Sequence, residues 1–127
     1  MPETTPEPDR PELLRGTLDM MILKILTAGP AHGYEVMQRL ARASDEVILL
    51  EEGSLYPALH RIQKRGLVRS EWHRSASNRR ARYYELTDAG RKRLETDVST
   101  WSRMSRAVDS VLGSRLGQPD GPALGKA

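Results

Sequence analysis

The spacing of apolar residues changes in the middle of this chain, between residues 54 and 86. Leu55, Leu59 and Ile62 recur at intervals of four and three, which predicts a short amphipathic helix. After Gly66 the segments LVRSEWHR and RYYELT alternate between apolar and polar residues, which predicts two strands. The polar, basic stretch SASNRRA lies between these strands. This part of the chain is therefore predicted to form a helix followed by a β-hairpin with a basic loop.

The predicted short helix begins with the sequence GSLYPALHRI, in which a proline lies near the helix N-terminus. Proline has no backbone N–H group, but in the first turn of a helix this costs no hydrogen bond. We therefore expect Ser54 to be the N-cap and Pro57 to lie within the first turn. Tyr56, His60 and Lys64 would then lie on the exposed side of the helix, opposite the apolar stripe.

Helical periodicity also predicts elements on either side of this segment. A first helix is expected over residues 12–28 and a second over residues 32–44, for which His32 is a candidate cap. Thr87 is predicted to cap a long final helix that continues to about Leu112. The run DEVILLEE, between the second and third helices, is predicted to be a short strand or an extended link.

The composition limits the classes of protein to which the chain can belong. A length of 127 residues is enough for one small domain, and the absence of cysteine excludes disulfides and thiolate chemistry. The histidines have no metal-ligand spacing, and there is no plausible catalytic triad, phosphate-binding glycine loop or carboxylate pair. We therefore expect neither an enzyme nor a bound metal or cofactor. With no pattern typical of a signal peptide and apolar runs too short to cross a bilayer, a cytoplasmic protein without membrane contact is expected.

Positive charge is concentrated in one segment. Residues 60–82 contain eight arginine and lysine residues and one acidic residue, Glu71, which gives the segment a net charge of +7. The whole chain has a net charge of only +3, so the remainder is acidic. Most charged runs are simply solvated surface, but one basic segment on an otherwise acidic chain is typical of a protein that binds a polyanion.

Three helices, a basic hairpin and a long helix are the layout of a winged helix-turn-helix. The fold class is therefore predicted to be mainly α with a small β-hairpin, with a long C-terminal dimerisation helix. In such a fold the third helix enters the major groove of double-stranded DNA and the hairpin, or wing, lies along the backbone or minor groove. Wing arginines would neutralise phosphates, and the third helix would reach base edges. The candidate DNA-binding residues are His32, Tyr34, Ser54, Tyr56, His60, Arg61, Lys64, Arg79, Arg80 and Arg82.

Four regions follow from this layout. Residues 1–11, with four prolines, are expected to be a disordered extension, and residues 12–87 the winged-helix domain. Residues 88–112 would form the dimerisation helix and residues 113–127 a flexible, glycine- and proline-rich tail. A winged-helix module that binds another protein instead of DNA is the alternative function, and the basic segment argues against it.

Several motifs resemble the PadR family of bacterial transcriptional regulators: HGYE, GSLYPALHRI and RYYELTDAGR, in matching order within residues 12–112. With one helix after the wing, the chain looks like the short-form branch of that family. The resemblance implies a homodimer that represses transcription from a palindromic operator. It also implies release by a small molecule, and in short-form members a tryptophan in the final helix helps line a pore for flat aromatic compounds.

The final helix has an apolar seam close to a seven-residue repeat, which predicts a helix–helix interface between two copies of the chain. Its members are Leu94, Val98, Trp101, Met104, Val108 and Val111. The other possibility is that these residues pack on their own domain. The residues that would bind an aromatic effector are Trp101, Met20, Met21 and Met104, although Trp101 could simply fill the interface. Trp72 is expected to be a packing residue behind the wing.

Overall fold

The computed structural model describes residues 10–117 and 121–125, with side chains described from residue 16 onward. The elements, in chain order, are α1 (Arg10–Leu26), β1 (Ala31–His32), α2 (Gly33–Ala43), α3 (Glu52–Lys64), β2 (Val68–Arg74), β3 (Arg80–Leu86) and α4 (Asp88–Gly113). The predicted fold class, a winged helix followed by a long C-terminal helix, is confirmed. Residues 1–9 of the predicted extension and residues 118–120 and 126–127 of the predicted tail lie outside the described residues.

A three-stranded antiparallel sheet forms the base of the wing, in the order β1-β3-β2. The hairpin pairs from Val68 opposite Leu86 to Arg74 opposite Arg80. Strand β1, which the sequence did not predict, places Ala31 opposite Tyr84. Two residues are too few to show an alternating pattern, so this strand is formed by its pairing with β3 and not by a local preference.

The core is built without phenylalanine from branched aliphatic side chains. Ile22 and Leu23 of α1 are fully buried in one cluster with Leu55 and Ile62 of α3. The inner side of β3 closes this cluster with the side chains of Tyr84 and Leu86. Helix α3 is thereby fixed on its apolar stripe, and its opposite side is left at the surface.

The start of α2 is fixed by His32, as the sequence predicted. The Nδ1 atom of His32 accepts a hydrogen bond from the Glu35 backbone N–H at 3.3 Å. In return, the Glu35 carboxylate accepts from the His32 backbone N–H at 3.1 Å. This reciprocal capping box satisfies two donors at the helix N-terminus and requires the His32 Nδ1 atom to be unprotonated.

Helix α3 begins earlier than predicted, so the assignment of Ser54 as N-cap is wrong. Glu51 is the N-cap, without a side-chain capping bond, and Glu52 is the first helical residue. The backbone N–H of Ser54 already donates to the Glu51 carbonyl at 3.0 Å. Acidic residues at a helix N-terminus are favoured by the helix dipole, which explains a start at this Glu-Glu pair. Pro57 consequently lies in the second turn and not in the first.

The segment DEVILLEE contains no strand, and its last residue, Glu52, already belongs to α3. Asp45 and Glu46 open it with positive φ angles of 53° and 66°, which turn the chain out of α2. Leu50 packs partly against the core, and this contact positions the start of α3.

Helix α4 begins at the predicted cap. The Thr87 hydroxyl accepts from the Gly90 backbone N–H at 3.0 Å and donates to the Gly66 carbonyl at 2.7 Å. The first turns of α4 pack on the domain and its later turns extend away from it. No helix within the described residues is long and apolar enough to span a membrane.

Candidate nucleic-acid interface

An open groove of about 820 Å³ lies between the start of α2, helix α3 and the wing. We call it the wing groove. Aromatic and basic side chains dominate its lining, which consists of His32, Tyr34, Tyr56, Trp72, Arg79, Arg80, Arg82, Tyr84 and seven neighbouring residues. The structure therefore places six of the ten predicted DNA-binding residues in one concavity.

A second open groove, of about 640 Å³, follows the exposed side of α3. His60 and Lys64, which the sequence predicts on the exposed side of this helix, line it together with Gln63. Tyr56 and Arg82 line both grooves, so the two concavities form one continuous surface over α3 and the wing.

Tyr56 lies against the start of α2 because residue 33 is a glycine. A Cβ atom on Gly33 would lie 2.8 Å from the Tyr56 Cζ atom, a distance that real Cβ contacts essentially never show. The HGYE motif thus has two structural functions at this surface. His32 caps the helix, and Gly33 makes room for the tyrosine of the GSLYPALHRI motif.

A hydrogen-bonded chain connects the wing to α3. Arg82 donates through Nε to the Ser70 hydroxyl at 2.8 Å, and Ser70 donates to the Gln63 side-chain oxygen at 3.2 Å. This chain fixes the base of the Arg82 guanidinium and leaves its terminal nitrogens directed at the grooves.

The wing tip is a short turn closed by backbone hydrogen bonds. Ser75 N–H donates to the Arg79 carbonyl at 2.7 Å, and Asn78 adopts a positive φ of 64°. Arg74 donates to the Asn78 carbonyl at 3.1 Å. Arg79 is left exposed at the end of the hairpin, where a phosphate backbone is accessible to it.

Arg61, one of the predicted DNA-binding residues, faces α1 in the structure. Its terminal nitrogen donates to the Asp19 carboxylate of α1 at 2.7 Å, and Asp19 is only 6% exposed. Arg65 approaches the second carboxylate oxygen at 3.8 Å. Helical periodicity alone could not show that Arg61 faces α1, because the partner carboxylate lies 42 residues away in the sequence.

Ser54 lies outside both grooves. It is exposed, but Glu51 and Glu52 precede it at the start of α3. These carboxylates disfavour a phosphate at this helix N-terminus, so the structure gives no support to Ser54 as a DNA-binding residue.

Trp72 is the site residue that the sequence interpretation missed. Its side chain is not packed behind the wing but is 50% exposed within the wing groove. The guanidinium carbon of Arg80 lies 4.9 Å from the centre of the Trp72 ring, and that of Arg82 lies at 5.6 Å. The alternation of β2 could not show that the face on which Trp72 lies is open to solvent.

On the opposite face of the hairpin, basic side chains are paired with carboxylates. Arg69 contacts the carboxylates of Glu71 and Glu85, and His73 lies 2.9 Å from Glu71. The hydrogen bond to Glu71 and the proximity of Glu85 raise the pKa of Arg69, while His73 and then Arg69 lower the pKa of Glu71. The net charge of the segment is therefore not spread evenly, and unpaired arginines are concentrated on the groove side.

The seam of α4 divides into two parts. Leu94 is 8% exposed and belongs to the core cluster of its own domain, which is the other packing that the sequence allowed. The first turns of α4 pack on the domain, and Leu94 lies there. The five later members are between 44% and 67% exposed, namely Val98, Trp101, Met104, Val108 and Val111.

An open cavity of about 320 Å³ between α1 and α4 brings together Met20, Trp101 and Met104. Met21, the fourth predicted effector-binding residue, does not line it, because the neighbouring position on α1 points in another direction. Four charged residues also line this cavity, namely Asp19, Arg65, Arg93 and Asp97.

Three helices, a hairpin and a basic, aromatic groove between them define a winged-helix DNA-binding protein. The sequence matches the transcriptional regulator PadR-like family over residues 22–96, and the chain belongs to that family. It is thus a DNA-binding transcriptional regulator.

Individual relatives agree with this assignment. A transcriptional regulator of Mycobacterium tuberculosis is 34% identical over 97 residues, which cover 76% of this chain and 87% of the relative. The crystal structure of a PadR-like transcriptional regulator from Bacillus cereus matches with a TM-score of 0.69 and 31% identity, covering 82% of this chain and 99% of that one. A PadR family regulator from Eggerthella lenta matches with a TM-score of 0.67 and 34% identity, covering 82% and 88% respectively.

Proposed function

We propose that this protein is a cytoplasmic repressor that binds a palindromic operator as a homodimer. The observation that carries the proposal is the separation of two surfaces on one chain. The grooves over α3 and the wing are basic and aromatic, whereas the late turns of α4 expose an uncharged apolar seam. The first surface suits DNA, and the second suits another copy of the same helix.

A two-fold dimer explains why the DNA site would be palindromic. Each protomer presents one α3 helix, and a symmetric pair reads two half-sites in opposite directions. The half-sites would lie about one helical turn apart, ~34 Å. Tyr56, His60 and Lys64 would contact base edges, and Arg79, Arg80 and Arg82 would contact the phosphate backbone.

The cavity between α1 and α4 is the proposed effector site. Trp101 is 45% exposed there, and a planar aromatic compound would stack on its ring while Met20 and Met104 adapt to the ligand shape. Binding would weaken the affinity for the operator if the ligand favours a spacing of the two α3 helices that does not fit DNA.

The alternative function, a winged-helix module that binds another protein, is disfavoured by the charge of the wing groove. Its guanidinium groups at Arg80 and Arg82 have no carboxylate partner among the described residues. Free cations flanking a groove suit a polyanion better than a mixed protein surface.

Selection from a random duplex library tests the operator. The protein is expected to enrich inverted repeats whose half-sites lie about one turn apart. Enrichment of single, asymmetric sites would contradict the two-fold arrangement. A Tyr56→Ala variant selected in parallel is expected to enrich a more degenerate sequence, since it loses a base-edge contact.

A further inference from the structure

We infer that Trp72 is a positioning residue, which holds Arg80 and Arg82 in place for DNA without neutralising their charge. The inference rests on the proposed DNA-binding surface and adds to it a residue that is not itself a base or phosphate contact. Both guanidinium carbons lie within the range of a cation–π interaction, at 4.9 Å and 5.6 Å from the ring centre.

The register of the hairpin explains this arrangement. Trp72 is directly opposite Arg82 across the strands, so their side chains lie on the same face of the sheet. Arg80 is two residues from Arg82 and returns to that face. The ring of Trp72 thus contacts both guanidinium groups within the wing groove.

The two faces of the hairpin use different means to order an arginine. On the outer face, Arg69 is held by Glu71 and Glu85, whose carboxylates cancel its charge. On the groove face, an uncharged aromatic ring takes the place of those carboxylates. A guanidinium ordered by a ring keeps its full positive charge and its hydrogen-bond donors for a phosphate.

Arg82 is ordered at two points. Its Nε atom donates to Ser70, and its guanidinium plane contacts the ring of Trp72. Among the described residues it makes no further side-chain hydrogen bond, so its terminal nitrogens are available for DNA. The half-exposed ring is therefore explained by the arginines that it positions, and not by a base that stacks on it.

A salt titration with a short mixed-sequence DNA duplex tests the inference. Trp72→Leu removes the aromatic face without changing the charge of the protein. We expect its dissociation constant to rise about fivefold and the salt slope to fall by up to about one, because the phosphate contacts of Arg80 and Arg82 are formed less often. Trp72→Phe should recover part of both effects, since it restores an aromatic face.

The matched control is His73→Leu, because His73 is a neighbouring residue on the opposite face of the same strand. This variant should leave the dissociation constant and the salt slope unchanged. Thermal unfolding of every variant, followed by circular dichroism, shows whether the fold is intact.

A double-mutant comparison separates positioning from direct contact. In the Arg80→Ala/Arg82→Ala background, Trp72→Leu should cause no further loss of affinity, because the groups on which it acts are gone. A further loss of fivefold in that background would overturn the inference and show that Trp72 contacts DNA or supports the fold. An unchanged salt slope in Trp72→Leu alone would also overturn it. If the parent protein does not bind the duplex, the proposed function itself fails.

Discussion

The position of single side chains decides which residues of this surface can reach DNA. Tyr56 lines both grooves only because Gly33 leaves space for its ring at the start of α2. Arg61, five residues further along α3, is held against α1 by its ion pair with Asp19. Both contacts join residues that are distant in the sequence, and each sets the direction of a residue on the third helix.

Replacing Gly33 by Ala should weaken DNA binding with little effect on stability. The added methyl group would displace the Tyr56 ring, which is 43% exposed and free to rotate outward. We expect a loss of less than ~1 kcal/mol in the free energy of unfolding, below the usual cost of overpacking a core. Affinity for the selected operator should fall as it does in Tyr56→Ala. If Gly33→Ala lowers the operator affinity of the Tyr56→Ala variant as much as it lowers that of the parent, the effect of Gly33→Ala does not depend on Tyr56.

Removing the Asp19 carboxylate should destabilise the domain. Asp19→Ala leaves Arg61 without its partner, and the Nε atom of that arginine is already buried without a hydrogen bond. Because Arg61 keeps partial access to water, we expect a cost of about 2 kcal/mol, below the cost of breaking a fully buried ion pair. Asp19→Asn should cost less, since the amide oxygen still accepts a hydrogen bond. Urea denaturation measures the free energy of unfolding of both variants. Equal stability of Asp19→Ala and the parent would show that the Asp19–Arg61 ion pair does not stabilise the domain.

At the scale of helices and strands, the sequence predicted most of the fold because each element carries a clear apolar period. It failed where the outcome depends on distant neighbours. The stripe of α3 is correct, yet its start at Glu51 could not be distinguished from a start at Ser54. The seam of α4 is continuous, but only the structure shows that Leu94 packs on its own domain. The exposure of Trp72 likewise depends on the groove beside it and not on the strand pattern.

The inner strand β3 predicts a pH dependence of stability. Burial raises the pKa of Tyr84 above its ordinary value of 10.0 and outweighs the opposite effect of Arg82. As the pH rises, the same tyrosine ionises at a lower pH in the unfolded chain than in the folded protein. The stability that its protonated form provides is therefore complete below about pH 10 and is lost as the pH rises through the raised pKa.

Tyr84→Phe should remove part of this alkaline destabilisation. Urea unfolding between pH 8 and 11, expressed relative to each protein's own value at pH 8, is expected to show a smaller decline for the variant. Tyr34→Phe is the control, because Tyr34 is 61% exposed and should behave as the parent does. Identical declines in Tyr84→Phe and the parent would show that Tyr84 does not determine the alkaline limit.

The whole molecule carries its basic, aromatic grooves and its exposed apolar seam on different elements. The winged-helix domain carries the grooves, and α4 extends from it with a seam that this single chain leaves uncovered. Five large side chains between 44% and 67% exposed are more apolar surface than an isolated helix usually presents to water. A second copy of the chain is the occupant that the proposed function requires.

Val108→Glu tests this arrangement. Val108 is 47% exposed in the single chain, and a carboxylate there would be buried without a partner in the dimer. We expect light scattering to report monomers at concentrations where the parent is dimeric, with weaker binding to an inverted repeat. Ser110→Glu adds the same charge to the opposite side of α4 and should remain dimeric. A dimeric Val108→Glu variant with intact DNA affinity would place the interface elsewhere.

The most direct test of the central claim, that α3 and the wing bind DNA in different ways, is a comparison of affinities across salt concentrations. Arg79→Ala/Arg80→Ala should weaken binding to the selected operator and to mixed-sequence DNA alike, and should lower the salt slope by about one for each lost phosphate contact. Tyr56→Ala should instead reduce the difference in affinity between the selected operator and mixed-sequence DNA. Arg91→Ala/Lys92→Ala removes equal charge from exposed positions of α4 outside both grooves. This control variant should change neither the affinity for DNA nor the salt slope to a comparable extent. If Arg79→Ala/Arg80→Ala binds mixed-sequence DNA as tightly as the parent does, the wing is not the DNA-binding surface.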